Sequence, residues 1–512
     1  MNTTQALPFF IVVPLAAAFL APLLAKAVRG AAEFVALLAG AALLVLALGR
    51  LGADPAVYTM GGWLPPRGIT LVADGLSVLM LLLIAVISFA VLVYAQSYMR
   101  QYTDRPKFYC LFMLMIAGMN GVVLTGDLFN LYVFLEIAAI ASYALVAFGT
   151  EDEELEASFK YLVLGGVAST LILFGIALLY DVTGTLNLAD LAERLEGAGN
   201  MRLTLFVSAL FLAGFGLKAA LVPFHAWLPD AHPSAPAPIS AMLSGLLIKA
   251  LGVYVLLRLF YTVLPFGAYQ SVFLALGALS MVIGVFLAVG QWDFKRLLAY
   301  HSISQMGYVL LGLGLGTPLG VAGGLFHLVN HGVFKSLLFL CSGAVEQETG
   351  TRRLKELGGL WQRMPVTSGA CSVAALSISG VPPFNGFWSK LIIIVATVQA
   401  ADRLGGWAYA LASVTVLVSF LTLVSFVKVQ KYVLFGELPA RLAGVREVSR
   451  GMAASLVALA ILCVLLGVGC VWALPRLIYP ARDAAMDRRG YIARALPAPA
   501  ARVEVREGVD HE

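Results

Sequence analysis

Charge is what this sequence has least of. Of its 512 residues only 12% are Asp, Glu, Lys or Arg, and 60% are hydrophobic. Soluble domains carry roughly 25% charged and about 45–50% apolar residues. A chain of mean hydropathy +0.90 cannot cover its apolar surface in water, so lipid is the expected solvent for most of its length. The net charge of +5 does not point to nucleic acid, because no Lys/Arg stripe with interleaved aromatics exists. The five cysteines, Cys110, Cys341, Cys371, Cys463 and Cys470, lie in or beside apolar runs, and none forms Cys-x-x-Cys. Iron–sulfur and structural zinc sites need clustered thiolates, so the cysteines read as packing residues. The first ten residues hold neither a basic n-region nor a small-residue cleavage site, so the first apolar run reads as a retained helix.

What is present is a succession of apolar runs. A spanning helix needs about 20 apolar residues. About fourteen candidates lie near 7–27, 31–50, 72–96, 108–125, 128–149, 158–181, 203–228, 239–261, 269–291, 298–315, 318–342, 366–399, 406–430 and 452–475. The fold class is therefore an all-α polytopic membrane protein. The run 366–399 is too long for one straight crossing and contains Gly380-Val381-Pro382-Pro383, which predicts a broken helix. Segment 185–197 has helical apolar spacing but is short and charged, and suits the membrane surface. Glu151-Asp152-Glu153-Glu154 reads as a solvated acidic turn. The tail from Ala481 to Glu512 is polar and rich in Ala, Pro, Arg and Glu, which suits a mobile segment.

Connections after odd-numbered spans carry seventeen Lys and Arg, those after even-numbered spans two to twelve only six. The positive-inside rule then places both termini on the outer side, against the pull of seven Arg after Pro475. Val222-Pro223-Phe224-His225-Ala226-Trp227 in the seventh span is echoed by Val381-Pro382-Pro383-Phe384-Asn385-Gly386-Phe387-Trp388 in the twelfth. An offset of five spans would invert the second copy. Proline-broken helices at matching places in inverted halves point to an ion site near the midplane.

An ionisable residue in mid-span costs about 2.5–3.5 kcal/mol or more. Glu136 stands midway along the fifth span. Lys218 precedes the break at Pro223, Lys249 lies mid-way along the eighth, and Lys390 follows the break at Pro382 and Pro383. His327, His331 and Lys335 share one face of the eleventh at i, i+4, i+8. One such group could be a stabilising pair, and Lys335 could snorkel to the interface. Four buried charges on separate helices exceed what packing requires. The His pair has zinc-like spacing, but no Glu follows the first His and no third ligand is evident. Neither metal nor haem is expected, and flavin, nicotinamide and quinone signatures are absent, so no cofactor is expected. A Lys that alternates between a Glu partner and none alternates in proton affinity. A path from Glu136 through Lys218, Lys249, the His pair and on to Lys390 follows.

These residues sit in longer strings: Asp74-Gly75-Leu76-Ser77, Phe129-Asn130-Leu131-Tyr132-Val133-Phe134-Leu135-Glu136, Leu217-Lys218, Pro223-Phe224-His225-Ala226-Trp227-Leu228-Pro229-Asp230-Ala231-His232, Pro238-Ile239-Ser240-Ala241, Lys295-Arg296-Leu297-Leu298-Ala299-Tyr300 and Gly380-Val381-Pro382-Pro383-Phe384-Asn385-Gly386-Phe387. Over roughly 70–430 the chain resembles the antiporter-like subunits shared by respiratory complex I, Mrp-type Na+/H+ antiporters and membrane-bound hydrogenases. The resemblance implies fourteen helices with two inverted five-helix repeats and breaks in the seventh and twelfth. The implied segments are 1–107, a first repeat at 108–261, a second at 269–430, a last helix at 452–475 and a polar tail at 476–512. It implies translocation of H+, and of Na+ in antiporters, through Glu136, Lys218, Lys249 and Lys390, in a bacterial or archaeal cell membrane beside other membrane subunits. Lys390 resembles Mrp D subunits and the N and L subunits of complex I; the M subunit has Glu there. The string ending in His232 looks more like complex I and hydrogenase subunits. His301 stands where many members have Ser. No catalytic centre is evident, so any electron transfer belongs to other subunits. The competing readings are a self-contained transporter of a small solute, which would need a roomy mixed-polar site, and a non-pumping scaffold subunit.

Overall fold

The computed structural model describes residues 3–197 and 201–496. Helices dominate: α1 (Phe9–Ala25), α2 (Ala31–Leu48), α3 (Gly75–Tyr98), α4 (Arg105–Leu124), α5 (Leu128–Val146), α6 (Asp152–Thr183), α7 (Leu188–Gly197), α8 (Met201–Lys218) and α9 (Leu228–Ser234). Beyond them come α10 (Ala237–Thr262), α11 (Phe266–Val289), α12 (Phe294–Gly314), α13 (Pro318–Thr349), α14 (Pro365–Ser379), α15 (Asn385–Gln399), α16 (Gly406–Val429), α17 (Arg450–Val468), α18 (Tyr479–Met486) and α19 (Arg488–Ala495).

The helices start where the sequence offers caps. Asp74, Asp127, Asp293 and Thr317 each accept a backbone N–H from the first turn of α3, α5, α12 and α13, satisfying donors that helix geometry leaves free. The acidic turn is the start of α6, where Glu151 and Glu154 form a capping box. The helical expectation fails in one connection. Strands β1 (Ala56–Thr59) and β2 (Thr70–Ala73) pair antiparallel with Ala56 opposite Ala73. Val57, Tyr58, Thr70 and Val72 are strand formers in a stretch too short for another helix.

Among the described residues twelve helices are long and apolar enough to cross a membrane. Two sequence-derived spans fall outside that set for physical reasons. Helix α12 carries Lys295, Arg296, His301 and Gln305, which lower its apolarity. The run 366–399 is two helices of 15 residues each, α14 and α15. Between them Gly380 adopts φ +78 and closes α14 in the left-handed conformation, which Gly reaches without a Cβ penalty. Helix α8 likewise stops at Lys218, and turns over 219–227 lead into α9. Both irregular stretches contain a cis prolyl bond, Val222–Pro223 and Pro382–Pro383.

An arrangement recurs along the chain. Asp127 bridges antiparallel to Asn187, and Asp293 bridges to Arg353. Helices α6 and α13 are both 32 residues long and end on Thr183-Gly184-Thr185 and Thr349-Gly350-Thr351. In each, the first Thr hydroxyl donates one turn back, and the Gly is left-handed.

Helices α10 and α13 form the centre. Every residue in the apolar window of each is buried. They approach closely because Gly245 and Gly332 face each other: a Cβ on Gly245 would stand 2.0 Å from Ser336 Oγ and 3.3 Å from Gly332 O. Such small-residue contacts let backbones meet where lipid gives no hydrophobic drive.

The tail differs from the sequence expectation. Residues 479–486 and 488–495 are helical, and Ala481, Ala485, Tyr491 and Ala495 are buried. Arg258 donates to both oxygens of Asp74, at 2.7 and 2.8 Å, and the Tyr491 ring lies 5.0 Å from its guanidinium carbon. A buried ion pair needs covering from lipid and water alike, and α19 supplies a lid; composition alone hides that role. Residues 497–512 of the tail lie outside the described residues. Within 185–197, Leu188–Gly197 form α7, pinned by Arg194 to Asp190 at 2.9 Å, and Leu188, Ala189, Leu191 and Ala192 are buried against the rest of the chain.

Candidate functional site: a buried polar chain

The first group forms where α5, α6 and the end of α8 meet. Lys218 Nζ stands 3.7 Å from Glu136 Oε1 and donates to Ser169 Oγ at 3.0 Å and Tyr143 Oη at 3.2 Å. Ser169 Oγ donates in turn to Glu136 Oε1. The lysine is thus joined to the carboxylate through one hydroxyl. Its side chain is 3% exposed, that of Glu136 25%, so the carboxylate opens to the outside of the bundle. Behind Tyr143 stands an aromatic wall: Tyr161 meets Tyr143 edge-on and stacks on Trp227 at 4.2 Å. Trp227 Nε1 donates to Leu217 O at 2.9 Å, which fixes the end of α8.

The second group lies between α10, α12 and α13. Helix α10 opens into two wide π turns, Leu243–Leu247 and Lys249–Val253, a feature frequent at functional sites. Lys249 Nζ donates to Ser244 O at 2.6 Å, supplying a donor where widened turns disturb the backbone ladder. Ser244 Oγ and Ser302 Oγ are 2.7 Å apart. Lys249 and Lys335 are electrostatic neighbours of His331, whose ring nitrogens have no partner, as does Lys335 Nζ. Lys335 is wholly buried, so it does not snorkel. His327 contacts Ser389 Oγ through Nδ1 at 2.9 Å and Gln305 Oε1 through Nε2 at 3.1 Å.

The third group follows the α14–α15 junction. Lys390 Nζ donates to Ile378 O at 2.7 Å and Ser419 Oγ at 3.1 Å, and lies 5.0 Å from the Tyr308 ring centre. Tyr308 also packs against His327 at 5.4 Å, linking the second and third groups. His301 binds Ser425 Oγ through Nε2 at 2.8 Å, apart from that line.

All seven sequence-derived ionisable residues therefore line the interior or its edge. Glu136 and Lys218 come together, His327 shares the Tyr308 ring with Lys390, and no side-chain hydrogen bond joins Lys218 to Lys249. Pro223, Pro382 and Pro383 stand in the irregular stretches beside Lys218 and Lys390. Sequence reasoning missed Tyr143, Ser169, Tyr308, Ser389, Ser419 and the buried His232. Among the described residues no group of three or more His, Cys, Asp or Glu is placed to hold a metal.

At the polar ends of α6, α9, α12 and α13, ions cluster outside the spans. Arg352 pairs with Asp293 at 2.5 Å and Glu153 at 2.7 Å. Burial pulls its proton affinity down, but Asp293, Glu153 and Glu346 outweigh that and raise it.

A helical bundle that keeps lysines and histidines inside apolar spans, on small polar partners, is a multi-pass membrane protein built around buried ionisable groups. The chain belongs to the NADH:quinone oxidoreductase/Mrp antiporter transmembrane family, whose model matches residues 125–422. Residues 66–109 match the N-terminal part of NADH-ubiquinone oxidoreductase (complex I) chain 5. The chain is 38% identical over 383 residues to the D subunit of the Na(+)/H(+) antiporter of Alkalihalophilus pseudofirmus, covering 74% of this chain and 76% of that one. It is 40% identical over 440 residues to the N subunit of the NADH-quinone oxidoreductase of Desulforudis audaxviator, covering 83% and 86%. The fold superimposes on a chain of the Mrp complex from Dietzia sp. DQ12-45-1b with TM-score 0.89 and 31% identity, over 97% of this chain and 100% of that one.

Proposed function

We propose that this chain is an ion-translocating subunit of a multisubunit membrane complex. It moves protons, alone or in exchange for Na+, along Glu136, Lys218, Lys249, His331, Lys335, His327 and Lys390. The observation that carries the reading is the Glu136–Ser169–Lys218 chain, in which a buried ammonium is held within one hydroxyl of a carboxylate. A lysine so placed can take a proton, swing from its partner and hand the proton on, because its affinity changes with pairing. The partly exposed Glu136 suits contact with a neighbouring subunit, and the relatives are subunits of larger assemblies.

In this reading the chain crosses about fourteen times. Residues 1–107 precede a first five-helix repeat at 108–261, an inverted copy follows at 269–430, and 452–475 forms the last span. The paired bridges at Asp127 and Asp293 and the Thr-Gly-Thr ends of α6 and α13 support a repeat. The seventh span (203–228) is broken at Pro223 and the twelfth (366–399) at Pro382–Pro383, and both termini lie on the outer side. The test is proton flux in vesicles holding the assembled complex. Lys218→Ala and Glu136→Ala are each expected to abolish cation-dependent flux; wild-type flux in either variant overturns the proposal.

A further inference from the structure

We propose that the basic and aromatic cluster around Trp292, at the ends of α11 and α16, binds the phosphate headgroup of an anionic phospholipid; the inference stands apart from the translocation reading.

Three connections build the cluster. Trp292 stands between α11 and α12. Lys355 follows α13, and its Nζ lies 4.4 Å from the Trp292 ring centre. Lys428, in the last turn of α16, places its Nζ 5.0 Å from the same ring. Tyr432 meets Trp292 edge-on at 5.2 Å, and Lys431 Nζ lies 5.6 Å from the Tyr432 ring centre. Trp361 stacks on Phe435 at 5.5 Å, and Trp292, Trp361 and Phe435 are all exposed. Aromatic rings with an apolar body and a polar tip gather at the headgroup level of a bilayer.

The charges here are unbalanced. Among the described residues Lys355, Lys428 and Lys431 have no carboxylate partner. The acid next to Lys355 is already engaged: Glu356 accepts from Thr351 Oγ1 at 2.6 Å and faces Arg353 at 3.7 Å and Arg441 at 3.9 Å. Lys428 Nζ donates to Val289 O and Gln291 O, each at 2.7 Å. That ties α16 to the end of α11 and fixes the ammonium beside the indole. Two ammonium groups gathered on one ring repel each other, and the ring offsets this only in part. A phosphate diester has two free oxygens, one for each ammonium, and its negative charge relieves the repulsion.

Below the charges lies an apolar face. Phe420, Val424 and Lys428 recur at i, i+4 and i+8 on α16, so the ammonium closes a stripe whose apolar members are exposed. Val427 is exposed beside them, as are Phe286 and Leu287 in the last turn of α11, which packs on α16. A lysine that merely snorkels needs neither the ring nor a second lysine. Cations above exposed apolar side chains match a headgroup above its acyl chains; a soluble phosphate would leave the apolar strip uncovered. Basic groups at this edge also draw anionic lipid toward it.

The experiment uses the assembled complex in detergent, its bound lipid exchanged for phosphatidylglycerol carrying a photoactivatable diazirine in the acyl chain. Crosslinks are expected in the peptides holding Phe286 and residues 420–427. Unlabelled phosphatidylglycerol should compete with them, and phosphatidylcholine and inorganic phosphate should not. Lys355→Gln combined with Lys431→Gln, both on the surface, is expected to raise the phosphatidylglycerol concentration for half-maximal labelling about fivefold per lysine removed. Equal competition by phosphatidylcholine overturns the proposal. So does competition by inorganic phosphate, which marks a free-anion site, or capture of a neighbouring subunit in place of these peptides, which marks a protein interface. Unweakened labelling of the double variant overturns it too, and the wild-type competition decides alone if that variant does not assemble.

Discussion

Lys218 keeps its charge inside the bundle because three oxygens face it, and each can be removed singly. Tyr143→Phe removes one acceptor and leaves the ring against Tyr161. A hydrogen bond to a charged group contributes about 1.5–3 kcal/mol, so flux is expected to fall roughly tenfold or more, as measured beside Lys218→Ala in the same vesicles. Unchanged flux would mean that Tyr143 only packs. Asp74→Ala leaves Arg258 buried without its carboxylate. Breaking such a pair costs about 3–5 kcal/mol, so thermal unfolding of the detergent-solubilised complex is expected to begin with this subunit; an unshifted transition would deny the pair that weight. At this scale the sequence is most informative where a residue is costly. Glu136, Lys218, Lys249 and Lys390 stand out because lipid penalises them. Ser169 and Ser419 do not, since small hydroxyls are common on membrane helices. His232 escaped because it stands in Pro229-Asp230-Ala231-His232, a short helix outside any apolar span, where a histidine raises no alarm.

Helix ends, rather than helix lengths, position the lysines. Gly386 lets α15 begin against α14: a Cβ there would meet Ser377 O at 1.8 Å. Gly386→Ala is therefore expected to destabilise by about 1–3 kcal/mol and to displace Lys390, read out as lost flux together with a lowered melting temperature; a fully stable, fully active variant would refute the close approach. Gly252 is comparable, with Ala219 backbone 2.6 Å from its would-be Cβ, where α10 presses on the end of α8. The apolar runs mark most helices, the run 298–315 among them, yet they do not show that Lys295, His301 and Gln305 of α12 face the protein interior rather than lipid. The proline echo pointed to a repeat, but Thr183-Gly184-Thr185 and Thr349-Gly350-Thr351 are the stronger internal signal. They read as ordinary loop residues until their carbonyl and hydroxyl partners are seen.

Across the whole molecule, the basic connections argue for a definite orientation. Single cysteines placed at Gly436 and at Gly405, in a background free of native cysteines, are expected to react with an impermeant thiol reagent from opposite sides of the membrane. Labelling from the same side would overturn the orientation. Removing residues 479–496 uncovers the Asp74–Arg258 pair and is expected to lower stability without preventing insertion, as judged by membrane-fraction yield and melting temperature. The central position of α10 and α13 was not legible in composition, because an all-round apolar helix looks alike whether it faces lipid or protein.

The widened turns of α10 have one more consequence. Because the Lys249 ammonium holds the Ser244 carbonyl, the side chain's chemical state and the backbone's winding are tied together. When the amine gives up a proton its grip slackens, and the loosened coil can tighten elsewhere along its axis. Charge moving past this point would thus be felt as a mechanical tug by every element packed around the core, faster deuterium uptake in the amides near Ser244 being its signature in a Lys249→Leu variant.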